Sequence, residues 1–241
     1  MTQLSININK FATLRNARGG NNPDILKVAK DCQRFGAQGI TVHPRPDQRH
    51  IRYNDVFEIK PFIITEFNIE GYPSRSFIDM VLKVQPHQVT LVPDPPDALT
   101  SNKGWDTIKN EKFLQEIISE FKKNNIRTSV FIETDLDLFE PAVRTGTDRV
   151  ELYTEEYAVE FDKKNLSVIN KFFQAATLAK NLGLKINAGH DLNLRNLKYF
   201  VQQIPFISEV SIGHALVCDA LYFGLENTIQ MYLRELTGIK V

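Results

Sequence analysis

The segment NPDILKVAKDCQRFGAQGITVHPRPDQRH, residues 22–50, holds one copy of the pattern that runs through the whole chain. Its first half places apolar residues at helical spacing, with Pro23 suited to a first helical turn and Gly36 to a C-terminal stop. Its second half begins with the short apolar run GITVH, residues 39–43, and then turns into histidine, arginine, aspartate and proline. The segment therefore predicts a helix, a buried strand and a polar loop at the carboxyl end of that strand.

The alternation of short apolar runs with amphipathic stretches continues along the chain, as expected for a parallel sheet covered by helices. Helical stretches include one after Ser74, a candidate N-cap, and a last one over 216–236. We predict one α/β domain over residues 1–241, a single (β/α)8 TIM barrel. A doubly wound sheet is the alternative, but no G-x-G-x-x-G follows the first strand. The predicted strands are residues 4–8, 39–43, 64–70, 88–93, 127–133, 149–154, 185–190 and 209–214.

The composition points away from nucleic acids and membranes. Lys plus Arg and Asp plus Glu number 29 each, so no net field favours a polyanion or a lipid surface. Neither a leader sequence nor a long apolar span is evident, so we expect a cytoplasmic protein. Cys32 and Cys218 lie in apolar helical contexts and are predicted to be buried free thiols.

Polar side chains end most of the predicted strands, which is where TIM barrels carry their chemistry. Three histidines and a glutamate stand out, since histidine titrates near neutral pH and a desolvated carboxylate can become a general base. His87 precedes strand four, on the opposite face, and is predicted to be structural. Glu133 and Glu151 also end strands, with Glu133 assigned a structural role. The four groups predicted to be functional at strand ends are His43, Glu70, His190 and His214.

Anion-binding residues are frequent at the same rim. Arginine matches phosphate oxygens with a two-point fork, and a glycine before a helix leaves backbone N–H groups accessible. We therefore predict two anion pockets and an enzyme that acts on small phosphorylated compounds by acid/base chemistry. Two long loops, DPPDALTSNKGWD after strand four and EEYAVEFDKK after strand six, are candidate lids. The residues proposed for anion binding are Arg15, Arg18, Arg45, Arg49, His50, Gly189 and Gly213.

Seven segments, in order and over nearly the whole chain, resemble the pyridoxine 5′-phosphate synthase family: NINKFATLRNARGG, GITVHPRPDQRHI, FNIEG, VTLVPD, RVELYT, INAGHDL and EVSIGHAL. The resemblance implies a TIM barrel with extra helices, assembled as an octamer built from four dimers and working without a cofactor. It also implies condensation of 1-deoxy-D-xylulose 5-phosphate with 3-amino-2-oxopropyl phosphate to pyridoxine 5′-phosphate. Two phosphorylated substrates would account for two anion pockets.

The resemblance also implies residue roles. By it, His43 and Glu70 are proton acceptors and His190 a proton donor. Two departures from the common family pattern stand at this site: Asn9-Lys10 replaces Asp-His, and Asp191 replaces a glycine. The implied contacts to deoxyxylulose phosphate are Arg18, Arg45, His50 and Thr100; those to the aminoketone phosphate are Asn7, Gly213 and His214; further substrate-binding residues are Asn9, Lys10, Glu151 and Asp191.

Three rival functions use the same residues differently. A metal-dependent barrel hydrolase would take the strand-end histidines and Glu70 as ligands, although the first strand shows N-I-N where such sites often have H-x-H. A Schiff-base aldolase would use Lys10, next to strand one. A non-catalytic phosphosugar-binding protein would keep the arginines and tolerate loss of Glu70.

Overall fold

Eight parallel strands close into one barrel in the computed structural model, which describes residues 1–94 and 103–237. Each strand pairs with the next along the chain, and the last pairs with the first. The predicted TIM barrel and all eight of its strands are confirmed, with ends that differ by a few residues. The strands are β1 (Gln3–Asn7), β2 (Gly39–Val42), β3 (Glu66–Gly71), β4 (Gln88–Leu91), β5 (Arg127–Ile132), β6 (Arg149–Leu152), β7 (Lys185–Ala188) and β8 (Glu209–Ile212).

Helices cover the outside of the barrel and outnumber the strands among the described residues. Short 3-10 turns lie at 60–62, 136–138 and 166–168. The helices are α1 (Asn9–Asn16), α2 (Ile25–Arg34), α3 (Tyr53–Ile59), α4 (Arg75–Val84), α5 (Glu111–Lys123), α6 (Phe139–Arg144), α7 (Glu155–Asp162), α8 (Ile169–Asn181), α9 (Leu197–Gln203), α10 (His214–Phe223) and α11 (Leu225–Thr237).

Local sequence signals explain where several helices begin and end. The Ser74 side chain accepts a hydrogen bond from the Phe77 N–H, which confirms Ser74 as the N-cap of α4. Asp24 caps α2 in the same way, so Pro23 lies just before the cap and not in the first turn as predicted. Gly36, with φ of +103°, follows the end of α2, where a left-handed residue is expected.

Three predictions about local structure are wrong. The last helix is two helices, because Gly224 breaks it with φ of +75°. The stretch EEYAVEFDKK is not a loop but mostly helix α7. Cys32 is buried as predicted, but Cys218 is exposed because it faces outward from α10.

The strands alternate between an apolar outer face and a polar inner face. The apolar strand residues pack under the helices and form the core. Inside the barrel the Ser5 and Thr41 hydroxyls lie 2.7 Å apart, Asn68 donates to Thr41, and the Thr90 hydroxyl donates to the Asn68 amide oxygen at 3.1 Å. The polar interior ends, at the carboxyl side, in the predicted site residues.

The amino-terminal end of the barrel has its own polar contacts. His87 accepts a hydrogen bond from the Phe67 N–H at 2.9 Å, which confirms its structural role. Arg149 lies 3.4 Å from Glu209 inside the barrel and donates to Asn187. In the described part of the chain, no helix has both the length and the apolarity to cross a bilayer.

Candidate active site

A cavity of about 540 Å³ opens at the carboxyl ends of the strands. Its walls come from all eight strands or the segments that directly follow them, so side chains far apart in sequence meet at one place. Arg18 is exposed and does not line the cavity, and Thr100 lies outside the described residues. The predicted residues in the wall are Asn7, Asn9, Lys10, His43, Arg45, Arg49, His50, Glu70, Glu151, His190, Asp191, Gly213 and His214.

Glu70 lies at the floor of the cavity, at the end of β3. Its carboxylate accepts a hydrogen bond from the Asn7 amide at 3.3 Å and lies 3.9 Å from Nδ1 of His43. Burial raises the pKa of Glu70 well above its usual value, and the negative charges of Glu151 and Asp94 raise it further. A carboxyl group with a raised pKa is suited to proton transfer near neutral pH.

Glu151 is the second carboxyl group of the cavity floor. Burial raises the pKa of Glu151 to about 7, although the nearby His190 acts to lower it. Because two neighbouring carboxylates resist ionising together, Glu70 and Glu151 favour a state in which one of them holds a proton. The floor can therefore both accept and return a proton.

The cavity histidines differ in charge. Burial, and then electrostatic interaction with Arg45, His50 and Arg49, lower the pKa of His43 well below its usual value. Burial opposes the charged form of His190 too, but its hydrogen bond to Asp191 and the charge of that residue outweigh it, so the pKa of His190 is raised. At neutral pH His43 is thus a neutral imidazole, whereas His190 is readily protonated.

Backbone contacts around β1 and β2 fix the neutral histidine in place. The Asn9 side-chain oxygen accepts from the His43 N–H at 2.9 Å, and the Asn7 side-chain oxygen accepts from the Asn9 N–H at 3.1 Å. An aspartate would serve the first contact equally well, so Asn9 keeps this acceptor without adding a charge. Lys10, beside it, is exposed at the mouth.

Positive groups line the side of the cavity formed by the loop after β2. Arg45 is buried and donates to Asp94 at 2.7 Å, while Arg49 pairs with Asp47 at 2.6 Å. Burial, and then the charges of Arg45, Lys10 and Arg49, lower the pKa of His50 to about 4. The positive charges that keep His50 neutral are also charges that a bound phosphate ester would neutralise.

Two predicted anion contacts are corrected by the structure. Arg15 is buried and forms a two-point ion pair with Asp55, at 2.6 and 2.8 Å, so it belongs to the packing of α1 against α3. Gly189 is separated from α9 by a loop and does not precede a helix directly. A Cβ at Gly189 would lie 2.7 Å from the Ser211 carbonyl oxygen, so glycine is required there by close packing.

Gly213 and His214 agree with their predicted place at the start of a helix. Gly213 precedes α10, and His214 is the first residue of that helix. Both residues line the cavity, at the helix start where barrels often form anion sites. A Cβ at Gly213 would come within 3.1 Å of the Asn7 side chain.

The sequence analysis missed several cavity residues. Asp94 does not itself line the cavity, but it is the buried partner of the wall residue Arg45; it follows β4 and carried no periodic signal. Ser211 could have been found, because it lies two residues before Gly213 and so shares the inward face of β8. The other wall residues not predicted are Thr13, Val92, Phe131, Leu192, Asn193, Ile212 and Ala215.

The sequence profile of the family described as pyridoxal phosphate biosynthesis protein PdxJ matches residues 4–238. The chain belongs to the PdxJ family. Among its relatives, the pyridoxine 5′-phosphate synthase of Cytophaga hutchinsonii is 63% identical over 236 residues, 98% of this chain and 99% of that protein. The pyridoxine 5′-phosphate synthase of Flavobacterium johnsoniae is 60% identical over 236 residues, 98% of this chain and all of that protein.

Solved structures outside the PdxJ family share the fold. The 3-keto-L-gulonate-6-phosphate decarboxylase of Vibrio cholerae superposes with a TM-score of 0.66 at 10% identity, over 98% of this chain and 97% of that chain. At that identity the likeness concerns the barrel architecture alone. Over residues 1–94 and 103–237, no group of three or more His, Cys, Asp or Glu side chains has an arrangement that could hold a metal ion.

Proposed function

We propose that this PdxJ-family chain is a pyridoxine 5′-phosphate synthase, which condenses 1-deoxy-D-xylulose 5-phosphate with 3-amino-2-oxopropyl phosphate to pyridoxine 5′-phosphate, phosphate and water. One observation carries the proposal. A single cavity holds a neutral buried imidazole, His43, beside a carboxyl group of raised pKa, Glu70, and an imidazole with a raised pKa, His190. A ring-closing condensation needs repeated proton transfers in both directions, which such a set supplies.

The proton transfers can be assigned to these groups. Attack of the substrate amine on the pentulose ketone forms an imine and releases water, for which His190 supplies a proton. Removal of a proton beside the imine falls to Glu70 and His43, which lie 3.9 Å apart. Elimination of phosphate and an aldol-like closure with loss of water complete the aromatic ring, with the same groups returning their protons.

The two phosphate esters have separate positions in the proposal. The backbone at Gly213 and His214, at the amino end of α10, receives the aminoketone phosphate. Arg45 and His50, on the loop after β2 and in the cavity wall, receive the deoxyxylulose phosphate. In the proposal this phosphate is also contacted by Thr100 and by Arg18, which lies outside the wall. The cavity floor then lies between the two esters, where the new bonds form.

The decisive experiment is synthesis by the purified chain. With both phosphorylated substrates present, we expect pyridoxine 5′-phosphate, identified by absorbance and mass, and no product when either substrate is omitted. Absence of product under all these conditions would contradict the proposal. Borohydride trapping of a substrate on the protein, lost in Lys10→Ala, would instead indicate the Schiff-base aldolase chemistry.

We also propose that the whole chain forms one catalytic unit in the cytoplasm and assembles as a homo-octamer, a tetramer of dimers. Leu221 and Tyr222, at the end of α10, are 73% and 86% exposed, which is unusual for large apolar side chains on an unpaired surface. Light scattering is expected to give eight times the chain mass of 27.6 kDa. A monomer at working concentration would contradict this part of the proposal.

His50 is expected to make the folded protein sensitive to acid. Nδ1 of His50 accepts from the Ile51 N–H at 2.9 Å, so the folded state needs the neutral ring, and its pKa falls from 6.5 to about 4. A histidine with a lowered folded pKa stabilises the protein above pH 6.5, and that stability is lost as the pH falls from 6.5 toward 4. From about 1.4 kcal/mol per pKa unit, the loss is roughly 3 kcal/mol by pH 4.

Urea denaturation of wild type and His50→Asn between pH 4 and 8 measures this loss. Asparagine keeps a hydrogen-bond acceptor but has no titrating group. The difference in unfolding free energy between the two proteins should therefore shrink as the pH falls below 6.5. Parallel curves across this range would show that His50 does not titrate as proposed.

A further inference from the structure

Asp191 has a backbone conformation that few residues of its kind adopt. Its φ is +69°, in the left-handed region, where a residue other than glycine is uncommon and aspartate is one of the better tolerated. The side chain does not point away from the site. Its carboxylate lies 2.5 Å from Nδ1 of His190, and both residues line the cavity.

The backbone around this pair is held by its neighbours. The Thr154 hydroxyl lies within hydrogen-bonding distance of the Gly189 carbonyl oxygen, at 2.9 Å, and of that of His190. The side-chain amides of Asn193 and Asn196 both donate to the Asp191 carbonyl oxygen at 3.2 Å. These contacts restrain the backbone on both sides of Asp191, and the loop conformation therefore places the Asp191 carboxylate beside the imidazole of His190.

Several charged or titratable groups face His190. Asp191 is hydrogen-bonded to the ring, Glu155 and Glu151 add negative charge from α7 and β6, and the Tyr153 ring packs edge-on at 5.4 Å between centroids. Tyr153 is itself hydrogen-bonded to Glu155. Burial of the ring lowers its pKa, but the contact with Asp191 is the largest opposing influence, ahead of the two glutamates, and the pKa of His190 is raised.

We propose that Asp191 is a positioning residue for His190, whose carboxylate fixes the imidazole ring and holds its Nδ1 proton so that Nε2 is the nitrogen that delivers a proton to the substrate. The proposal rests on the function proposed above, in which His190 is the proton donor. In this proposal the Asp191 side chain orients His190 and does not contact a substrate phosphate. The carboxylate is directed to the ring, and only the backbone of residue 191 remains for an anion.

The test compares wild type with Asp191→Asn and Asp191→Gly. Asparagine keeps the size and the tolerance of positive φ but loses the charge, while glycine removes the side chain and any backbone strain. Because a proton donor must be protonated, loss of the carboxylate should move the basic limb of the kcat/KM profile to lower pH. The pair is partly exposed, with side chains 30% and 41% accessible. We therefore expect a shift of about 0.5–1 pH unit, or about three- to tenfold in activity above the limb.

An NMR titration of histidine-labelled protein measures the protonation of His190 directly in wild type and both variants, without enzyme turnover. Its titration midpoint should fall in both variants by the same amount as the kinetic limb. Glu155→Gln is the matched control, since it removes a nearby negative charge that does not touch the ring, and it should move the midpoint less. The proposal is overturned if the midpoint is the same in wild type and Asp191→Asn, or if activity falls equally at every pH. Failure to make pyridoxine 5′-phosphate would refute the proposed function while leaving the NMR titration to judge the pairing.

Discussion

Glu70→Gln is expected to lower kcat by about 10²–10⁴-fold, the usual contribution of a positioned general base. Glu70 is buried at the cavity floor, and its pKa is raised by that burial and by Glu151. Glutamine keeps the size and an acceptor for the Asn7 amide, but it cannot take up a proton. The loss should therefore appear in kcat, with substrate binding measured by calorimetry changed only slightly.

The same substitution should leave the fold intact. An amide is neutral, as is the protonated acid that burial favours, so we expect the free energy of unfolding to change by less than about 1 kcal/mol. Glu133→Gln is the matched control, because Glu133 follows β5 on the same rim but does not line the cavity. Glu133→Gln should stay within a few-fold of wild type. Full activity in Glu70→Gln would remove Glu70 from the mechanism and favour a binding protein.

Arg15→Met is expected to lower the free energy of unfolding by about 3–5 kcal/mol, as found when one partner of a buried ion pair is removed. Arg15 and Asp55 are both buried, and Arg15 also donates to the His50 carbonyl oxygen at 3.1 Å. Methionine fills the space of the side chain but leaves the Asp55 carboxylate buried, with the Arg52 N–H still donating to it and the positive charge of Arg15 no longer beside it. Urea denaturation at pH 7 measures the loss.

Arg18→Met is the control from the same segment. Arg18 is exposed, so its substitution should change stability by less than about 0.5 kcal/mol. If Arg18 contacts a substrate phosphate as proposed, Arg18→Met should instead raise KM. The double variant Arg15→Met, Asp55→Leu should recover part of the lost stability, since it leaves no unpaired buried charge. Equal effects of Arg15→Met and Arg18→Met on unfolding would refute the structural role of Arg15.

The barrel was predictable because its signal is periodic and local. Each strand is a short apolar run between amphipathic stretches, so GITVH and its seven counterparts could be recognised one at a time. Parallel barrels bring every strand end to one rim, and the convergence of His43, Glu70 and His190 on one cavity follows from that rule. The break at Gly224 was missed because the apolar pattern continues through it.

The amino-acid sequence could not show which charged side chains pair with other side chains of the protein and which remain available to a substrate. Arg15 and Arg18 stand three residues apart in one basic segment, yet the helix turns Arg15 inward to Asp55 and leaves Arg18 outside. The sequence showed Asp191 only as a replacement of a glycine, and the structure shows that its carboxylate, presented by a left-handed backbone, meets His190. The partner of Arg15 lies on another helix, and the contact of Asp191 depends on one backbone dihedral angle. Neither feature produces a periodic pattern in the amino-acid sequence.

The amino-acid sequence by itself determined the eight-stranded barrel, the rim that carries the chemistry and the residue types gathered there, because hydrophobic periodicity and strand order are properties of the chain. Only the tertiary structure decided the charges of those residues. His43 is neutral and His190 readily protonated, although both are histidines at strand ends, because one lies buried among arginines and the other bonds to a carboxylate. Burial and neighbouring charges set each pKa, and both come from the fold.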